Sequence, residues 1–207
     1  MENGNWFLNR LKGEFAENIA MIHFSALGYK VERTGIEHTA PNYANIQHMV
    51  KFRKYEVSSY MEKVLKFHSN HPDFIASRVT KKSDGTPIFN GLFIEVKYRR
   101  NVDLSLLREE VKKQYEHYIT SGYPVFIYLV CKNVTKENDI CFKSSIRPAK
   151  FRILFCYLGH DDALWWEAGS PKFDENKMYE ITKEKGKITF NNVYKELIIK
   201  HLDELSV

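Results

Sequence analysis

An acidic and a basic residue interrupt an otherwise apolar segment, Gly91–Tyr98, with the sequence Gly-Leu-Phe-Ile-Glu-Val-Lys-Tyr. The apolar run, bounded by turn-forming residues, predicts a β-strand. Successive side chains of a strand point to opposite faces, so Glu95 and Lys97 share one face. Burying a carboxylate and an ammonium group costs free energy unless both have partners. The two residues are therefore either a structural ion pair or part of a site for a charged ligand.

A second carboxylate, Asp73, is predicted to lie opposite Glu95 through a β-hairpin. If Ser83-Asp84-Gly85 is a three-residue hairpin loop with its glycine in the left-handed conformation, residue 82 pairs with residue 86. Residue 73 then faces residue 95, at roughly 5 Å between the Cβ atoms. Two facing anions repel each other, but together they favour Mg²⁺ or Mn²⁺, which prefer carboxylate oxygens. Pro87, which cannot donate to a ladder, and the rival turn Asn90-Gly91 leave this register open.

The first helix is predicted over residues 7–27, where apolar residues recur at steps of three or four. We expect one stripe to face the sheet, formed by Leu8, Leu11, Phe15, Ile19, Ile22 and Ala26. Gly28 follows directly and is a natural C-terminal stop. Residues 29–33 then alternate as a first strand should.

The remaining elements predict an α/β domain with a mixed central β-sheet flanked by helices. In chain order they are a helical insertion over about 42–69, strands over 73–80 and 92–98, a helix over 103–120, strands over 125–131 and 151–158, and a helix over 193–205. We expect one domain over residues 1–207. Its core would span about 7–33 and 70–160, and a C-terminal extension would span about 161–207.

Composition limits the classes of function. The net charge of +5 and the pI near 8.9 permit a polyanionic partner without requiring one. No window has about 18 consecutive apolar residues, and the N-terminus lacks a signal-peptide core, so we expect no membrane partner and a cytoplasmic location. The three cysteines lack C-x-x-C spacing and are expected to be reduced, mostly buried thiols. No G-x-S-x-G motif supports a serine hydrolase.

The segments His71-Pro72-Asp73 and Phe93–Lys97 resemble the motif of the PD-(D/E)xK nuclease superfamily, which has a restriction-endonuclease-like fold. Upstream, Glu17-Asn18-Ile19-Ala20 and Leu27-Gly28-Tyr29 resemble the first core helix and strand of resolvase-like members. Downstream, Gln114 and Tyr118 match a Q-x-x-x-Y pattern found in some branches. The resemblance covers about residues 12–130. It departs from the family in the long segment before Pro72, where the family core needs only a short link.

The resemblance implies a metal-dependent nuclease that hydrolyses phosphodiester bonds in DNA as an endonuclease, with Mg²⁺ or Mn²⁺ as cofactor. The implied metal ligands are Asp73, Glu95, the Val96 backbone carbonyl and Glu17. Lys97 would orient the attacking water and stabilise charge on the phosphate. Gln114 and Tyr118 would position the substrate or the lysine. The alternative is a catalytically inactive nucleic-acid-binding module of the same fold, and a homodimer is an expectation from the family alone.

Several site assignments have a plainer alternative. Glu14, one turn before Glu17, competes with it, and both could be surface residues. Gln114 and Tyr118 could be ordinary helix residues. His71 could lie near the metal, but it is also compatible with a loop end.

The C-terminal half and the insertion contain three further candidates. His160-Asp161-Asp162 with Glu167 could form a second metal site, although a polar loop explains them equally well. The adjacent Trp165 and Trp166 could stack on bases, or they could pack in the core. The segment Lys51–Lys66 interleaves basic and aromatic residues and is our candidate for a substrate-binding decoration.

Overall fold

The computed structural model describes residues 3–26, 28–34, 58–81, 83–144, 150–158 and 164–168. Its helices are α1 (Asn3–Ala26), α2 (Ser59–Ser69), α3 (Leu104–Gln114) and α4 (Glu116–Thr120), with a 3₁₀ turn at Glu137–Asp139. Its strands are β1 (Lys30–Arg33), β2 (Phe74–Lys81), β3 (Pro87–Val102), β4 (Val125–Val134), β5 (Ile140–Phe142), β6 (Arg152–Tyr157) and β7 (Trp165–Glu167). The predicted helix over 193–205 and most of the predicted insertion and C-terminal extension lie outside the described residues.

The described strands form one mixed sheet in the order β1-β2-β3-β4-β6-β7-β5. Strands β3 and β4 run parallel, as do β5 and β7, and the other neighbours are antiparallel. The helix pair α3 and α4 connects β3 to β4, because parallel neighbours need a crossover rather than a hairpin. This architecture confirms the predicted α/β class with a mixed sheet.

A hydrophobic layer covers each face of the sheet, and each layer has its own helix. The side chains packed around α1 include Ala16, Ala20, Phe24, Phe74, Ile94, Val96, Tyr128 and Phe155. Those packed around α3 include Leu104, Leu107, Val111, Ile127, Leu129, Leu154 and Trp165. Because alternate residues of β3 and β4 belong to alternate layers, β3 and β4 are buried on both faces.

The predicted apolar stripe of α1 is wrong at two of the four positions whose side chains are described, and the side chains of Leu8 and Ala26 lie outside the description. Leu11 and Ile22 are 46% and 47% exposed, while the buried side runs through Ala16, Ala20 and His23. Ile19 and Phe24 are buried on the same side, but alanine and histidine add little to an apolar pattern, so periodicity alone did not define the packed side. His23 is fully buried and hydrogen-bonds through Nδ1 to the Tyr128 hydroxyl at 2.9 Å.

The predicted helix ends are partly correct. Helix α1 stops at Ala26, and Gly28 follows with φ of 85°, the left-handed conformation that favours glycine. Asp103 caps α3 by accepting a hydrogen bond from the Leu106 N–H at 3.1 Å. The continuous helix predicted over 103–120 is wrong, because the chain breaks at Tyr115 into α3 and α4.

The described helices include none that is long and apolar enough to cross a membrane. Helix α2 is the described part of the predicted insertion. Cys131, Cys141 and Cys156 are free thiols, as predicted. Burial raises the pKa of the Cys131 and Cys156 thiols to about 12, so both remain protonated.

Candidate active site

The hairpin of β2 and β3 has the predicted register. Its pairs run from Lys81 opposite Pro87 to Phe74 opposite Ile94, and Gly85 in the loop has φ of 84°. Pro87 is tolerated because it stands at the hairpin end of the strand. Asp73 precedes β2 by one residue, so the same register sets it opposite Glu95.

Asp73 and Glu95 lie on the α3 side of the sheet. Their neighbours along each strand, Phe74 and Ile94, both pack with α1, and side chains alternate between faces. Lys97 shares the face of Glu95, two residues further along β3. The two carboxylates and the lysine therefore lie on one face of the sheet.

Glu95 is almost completely buried, with 2% of its surface exposed, and both of its oxygens have partners. Oε1 forms an ion pair with the Lys97 ammonium group. Oε2 accepts a hydrogen bond from the Tyr115 hydroxyl at 2.6 Å. Burial, reinforced by the charge of Glu95, raises the pKa of Tyr115, so its hydroxyl stays a donor.

The surroundings of Asp73 compensate its negative charge only in part. Its Oδ2 accepts a hydrogen bond from the Val96 N–H at 2.7 Å. Burial and the charge of Glu95 nevertheless raise the pKa of Asp73 well above its ordinary value, against the opposing effects of Lys97 and the Val96 N–H. The ionised form of this carboxyl is thus disfavoured until a further positive charge approaches.

Lys97 remains an ammonium group. Burial acts to lower its pKa, but the carboxylates of Glu95 and Asp73 outweigh that effect and raise it. Its side chain keeps 19% exposure, so solvent reaches part of it.

Of the two glutamates of α1 that the sequence left open, Glu17 approaches the site. Its charge contributes to the raised pKa of Asp73, and its carboxylate forms an ion pair with Arg33 at 2.9 Å. Glu14 instead pairs with Arg10 at 2.9 Å on the exposed side of the helix. Arg33, which the sequence did not indicate, neutralises Glu17 from β1.

Gln114 and Tyr118 each contact a residue next to the carboxylates. Gln114 Nε2 donates to the Tyr115 hydroxyl oxygen at 2.8 Å. The Tyr118 hydroxyl hydrogen-bonds to His71 Nδ1 at 2.6 Å, and its ring packs on Phe93 at 4.9 Å between centroids. Gln114 ends α3 and Tyr118 lies in α4, so the single helix predicted over 103–120 does not present both residues on one straight face.

Tyr115 is the site residue that the motif comparison missed. It follows Leu107 and Val111 at steps of four, and all three are buried. A tyrosine on the apolar face of a helix needs a partner for its hydroxyl when it is buried. That spacing indicated that the Tyr115 hydroxyl makes a buried polar contact, but it did not identify Glu95 as the partner.

The other candidate features are buried or lie outside the described residues. Trp165 and Trp166 are 2% and 5% exposed, so neither presents a ring to a base. Glu167 is fully buried and accepts hydrogen bonds from Arg152 at 2.8 and 3.3 Å, which makes it part of a structural ion pair. Residues 160–162 and 51–57 lie outside the described residues.

The donor atoms fit a hard divalent cation better than a soft one. Within the described ranges, no group of three or more His, Cys, Asp or Glu side chains is arranged to hold a metal. Asp73 and Glu95 supply two carboxylates on one face. The N–H and C=O of one strand residue point to the same edge, so the Val96 N–H that meets Asp73 directs the Val96 carbonyl to that edge too. Oxygen donors of this kind suit Mg²⁺ or Mn²⁺.

Comparison of the chain with models of protein families, with curated proteins and with solved structures gave no match. What the chain does must therefore be argued from its own residues. The site offers two facing carboxylates, a backbone carbonyl and a charged lysine at the open end of a hairpin.

Proposed function

We propose that this chain is a Mg²⁺- or Mn²⁺-dependent nuclease of the PD-(D/E)xK type, which hydrolyses phosphodiester bonds in DNA as an endonuclease. The observation that carries the proposal is the convergence of Asp73, Glu95 and Lys97 on one face of the β2–β3 hairpin. All three belong to the motif whose spacing along the chain first indicated this chemistry.

The balance of charge argues against a purely structural ion pair. Glu95 is neutralised by Lys97, and Glu17 by Arg33. When Asp73 is ionised, its charge is the one in this group that neither of these ion pairs neutralises, and burying it opposes folding. A divalent cation reverses that balance and leaves the site with one excess positive charge, which is suited to a phosphodiester anion.

Each residue then has a defined part in hydrolysis. Asp73, Glu95 and the Val96 carbonyl would hold the cation, and Glu17 would contribute directly or through water. The chemistry that a divalent cation would supply at these residues is to lower the pKa of water and to polarise the scissile phosphate. Lys97 stabilises the charge that builds on the phosphate oxygens in the transition state.

The test is cleavage of supercoiled plasmid by the purified chain with Mg²⁺ or Mn²⁺, beside an EDTA control. Lys97→Gln removes the charge but keeps a donor for Glu95, and we expect about 10²–10³-fold slower cleavage. Lys113→Gln is the matched control, because Lys113 is exposed on α3. This variant should cleave at the rate of the unchanged chain. Thermal unfolding of both variants separates lost chemistry from lost structure.

Three results would contradict the proposal. Cleavage that persists in EDTA would come from another activity, and equal rates for Lys97→Gln and Lys113→Gln would remove Lys97 from the chemistry. DNA binding without cleavage under any divalent metal would instead support an inactive nucleic-acid-binding module.

A further inference from the structure

The hydroxyl of Tyr115 lies outside the predicted motif and has three polar neighbours, Gln114, Glu95 and the His71 carbonyl. Tyr115 is 1% exposed and lies at the junction of α3 and α4 with a non-helical backbone, φ −110° and ψ 23°. Its N–H donates to the Val111 carbonyl at 3.0 Å, and its own carbonyl accepts from Tyr118 and Ile119 at 3.0 and 3.1 Å. The backbone on both sides therefore fixes where this side chain points.

The hydrogen bonds around the hydroxyl determine where its proton goes. Gln114 Nε2 can only donate, so the Tyr115 oxygen accepts that bond. The single hydroxyl proton then has two acceptors within reach, Glu95 Oε2 at 2.6 Å and the His71 carbonyl at 3.3 Å. The carboxylate is closer and charged, and charge-assisted hydrogen bonds are the stronger ones. Tyr115 therefore donates to Glu95.

This contact fixes the plane of the Glu95 carboxylate. Lys97 engages one oxygen and Tyr115 the other, so rotation about the last side-chain bond would break at least one contact. A carboxylate has about four lone-pair positions, so two remain for a cation. A partner that orients a metal ligand in this way typically changes metal affinity by about 10–100-fold.

We propose that Tyr115 is a positioning residue that holds Glu95 in the orientation needed for a divalent cation, with Gln114 directing its hydroxyl. This inference rests on the proposed nuclease function. It adds a residue that the D-to-E-x-K spacing and the Q-x-x-x-Y pattern do not include. Tyr115 acts through Glu95 and does not touch the reacting atoms.

The test is Mn²⁺ titration of the full chain by calorimetry without DNA, followed by cleavage rates over a range of Mn²⁺ concentrations. Tyr115→Phe removes only the hydroxyl, and we expect a dissociation constant about 10–100-fold higher. Its cleavage rate should return towards that of the unchanged chain at saturating Mn²⁺, which a general loss of structure would not allow. Tyr123→Phe is the control, because it removes the hydroxyl of a residue that is 51% exposed.

Gln114→Leu supplies a second variant if Tyr115→Phe does not fold, since Gln114 is only partly buried. It should weaken Mn²⁺ binding in the same direction by a smaller factor. Equal Mn²⁺ affinity in Tyr115→Phe and Tyr123→Phe would overturn the role of Tyr115 without affecting the nuclease proposal. A loss of cleavage in Tyr115→Phe that saturating Mn²⁺ does not restore would do the same. No Mn²⁺ binding by the unchanged chain would overturn the nuclease proposal and this inference together.

Discussion

Replacing Asp73 by asparagine should make the metal-free protein more stable, because it removes one of two facing carboxylates. At roughly 5 Å between the facing Cβ positions, two unit charges repel by about 3 kcal/mol in an effective dielectric of about 20. Lys97 attracts Asp73 and offsets part of that repulsion. We therefore expect Asp73→Asn to raise the free energy of unfolding by about 1–2 kcal/mol. For a domain of this size, that is a melting temperature higher by about 2–8 °C.

The assay is thermal and urea unfolding in EDTA, repeated with Mn²⁺. Asp84→Asn is the control, because Asp84 is exposed in the hairpin loop and its pKa is lowered by accepting the Thr86 N–H, so this variant should gain no stability. In Mn²⁺ the order should reverse, because the unchanged chain and Asp84→Asn keep both carboxylates and gain binding free energy, whereas Asp73→Asn lacks one of them.

The pH dependence of the free energy of unfolding provides a second test of the direction of this effect. Burial and Glu95 raise the pKa of Asp73 above its value in the unfolded chain. The cost of its charge is thus present above the folded pKa and disappears as the pH falls towards the unfolded value. The advantage of Asp73→Asn should therefore shrink in acid. An Asp73→Asn protein less stable than Asp84→Asn in EDTA would refute the reasoning.

Two further predictions concern the scaffold. Burial lowers the pKa of His23 to about 3, so its protonation favours the unfolded chain, and stability should fall by about 2 kcal/mol between pH 8 and pH 5. In His23→Asn, the free energy of unfolding measured in urea should change less between pH 8 and pH 5. An unchanged pH dependence would contradict this prediction. Gly85→Ala should cost about 1–2 kcal/mol through its positive φ alone, since no described atom lies within 4 Å of the added carbon. Gly13→Ala, in helix α1, should gain about 0.5–1 kcal/mol, and equal effects of the two changes would contradict the argument.

The register of the hairpin could be predicted because it depends on local chemistry. A three-residue loop with glycine in the left-handed position allows few alternatives, and the loop then fixes every pair back to Phe74. The placement of Asp73 against Glu95 followed from that count. A one-residue slip would have moved the two carboxylates to opposite faces.

Features that depend on long-range contacts could not be predicted in the same way. No proline or glycine marks the break between α3 and α4, and Tyr115 at that break reaches a carboxylate 20 residues earlier. The buried side of α1 includes His23, whose hydrogen-bond partner is 105 residues away. Strands β5 and β7 have three residues each, too few for periodicity to reveal them.

The central claim, that Asp73 and Glu95 hold one divalent cation between them, is tested most directly by diffraction from crystals grown with Mn²⁺. If the two residues share a cation, we expect one anomalous peak within about 2.5 Å of carboxylate oxygens from both, close to the Val96 carbonyl. A peak bound elsewhere, or none at a Mn²⁺ concentration that supports cleavage, would contradict it.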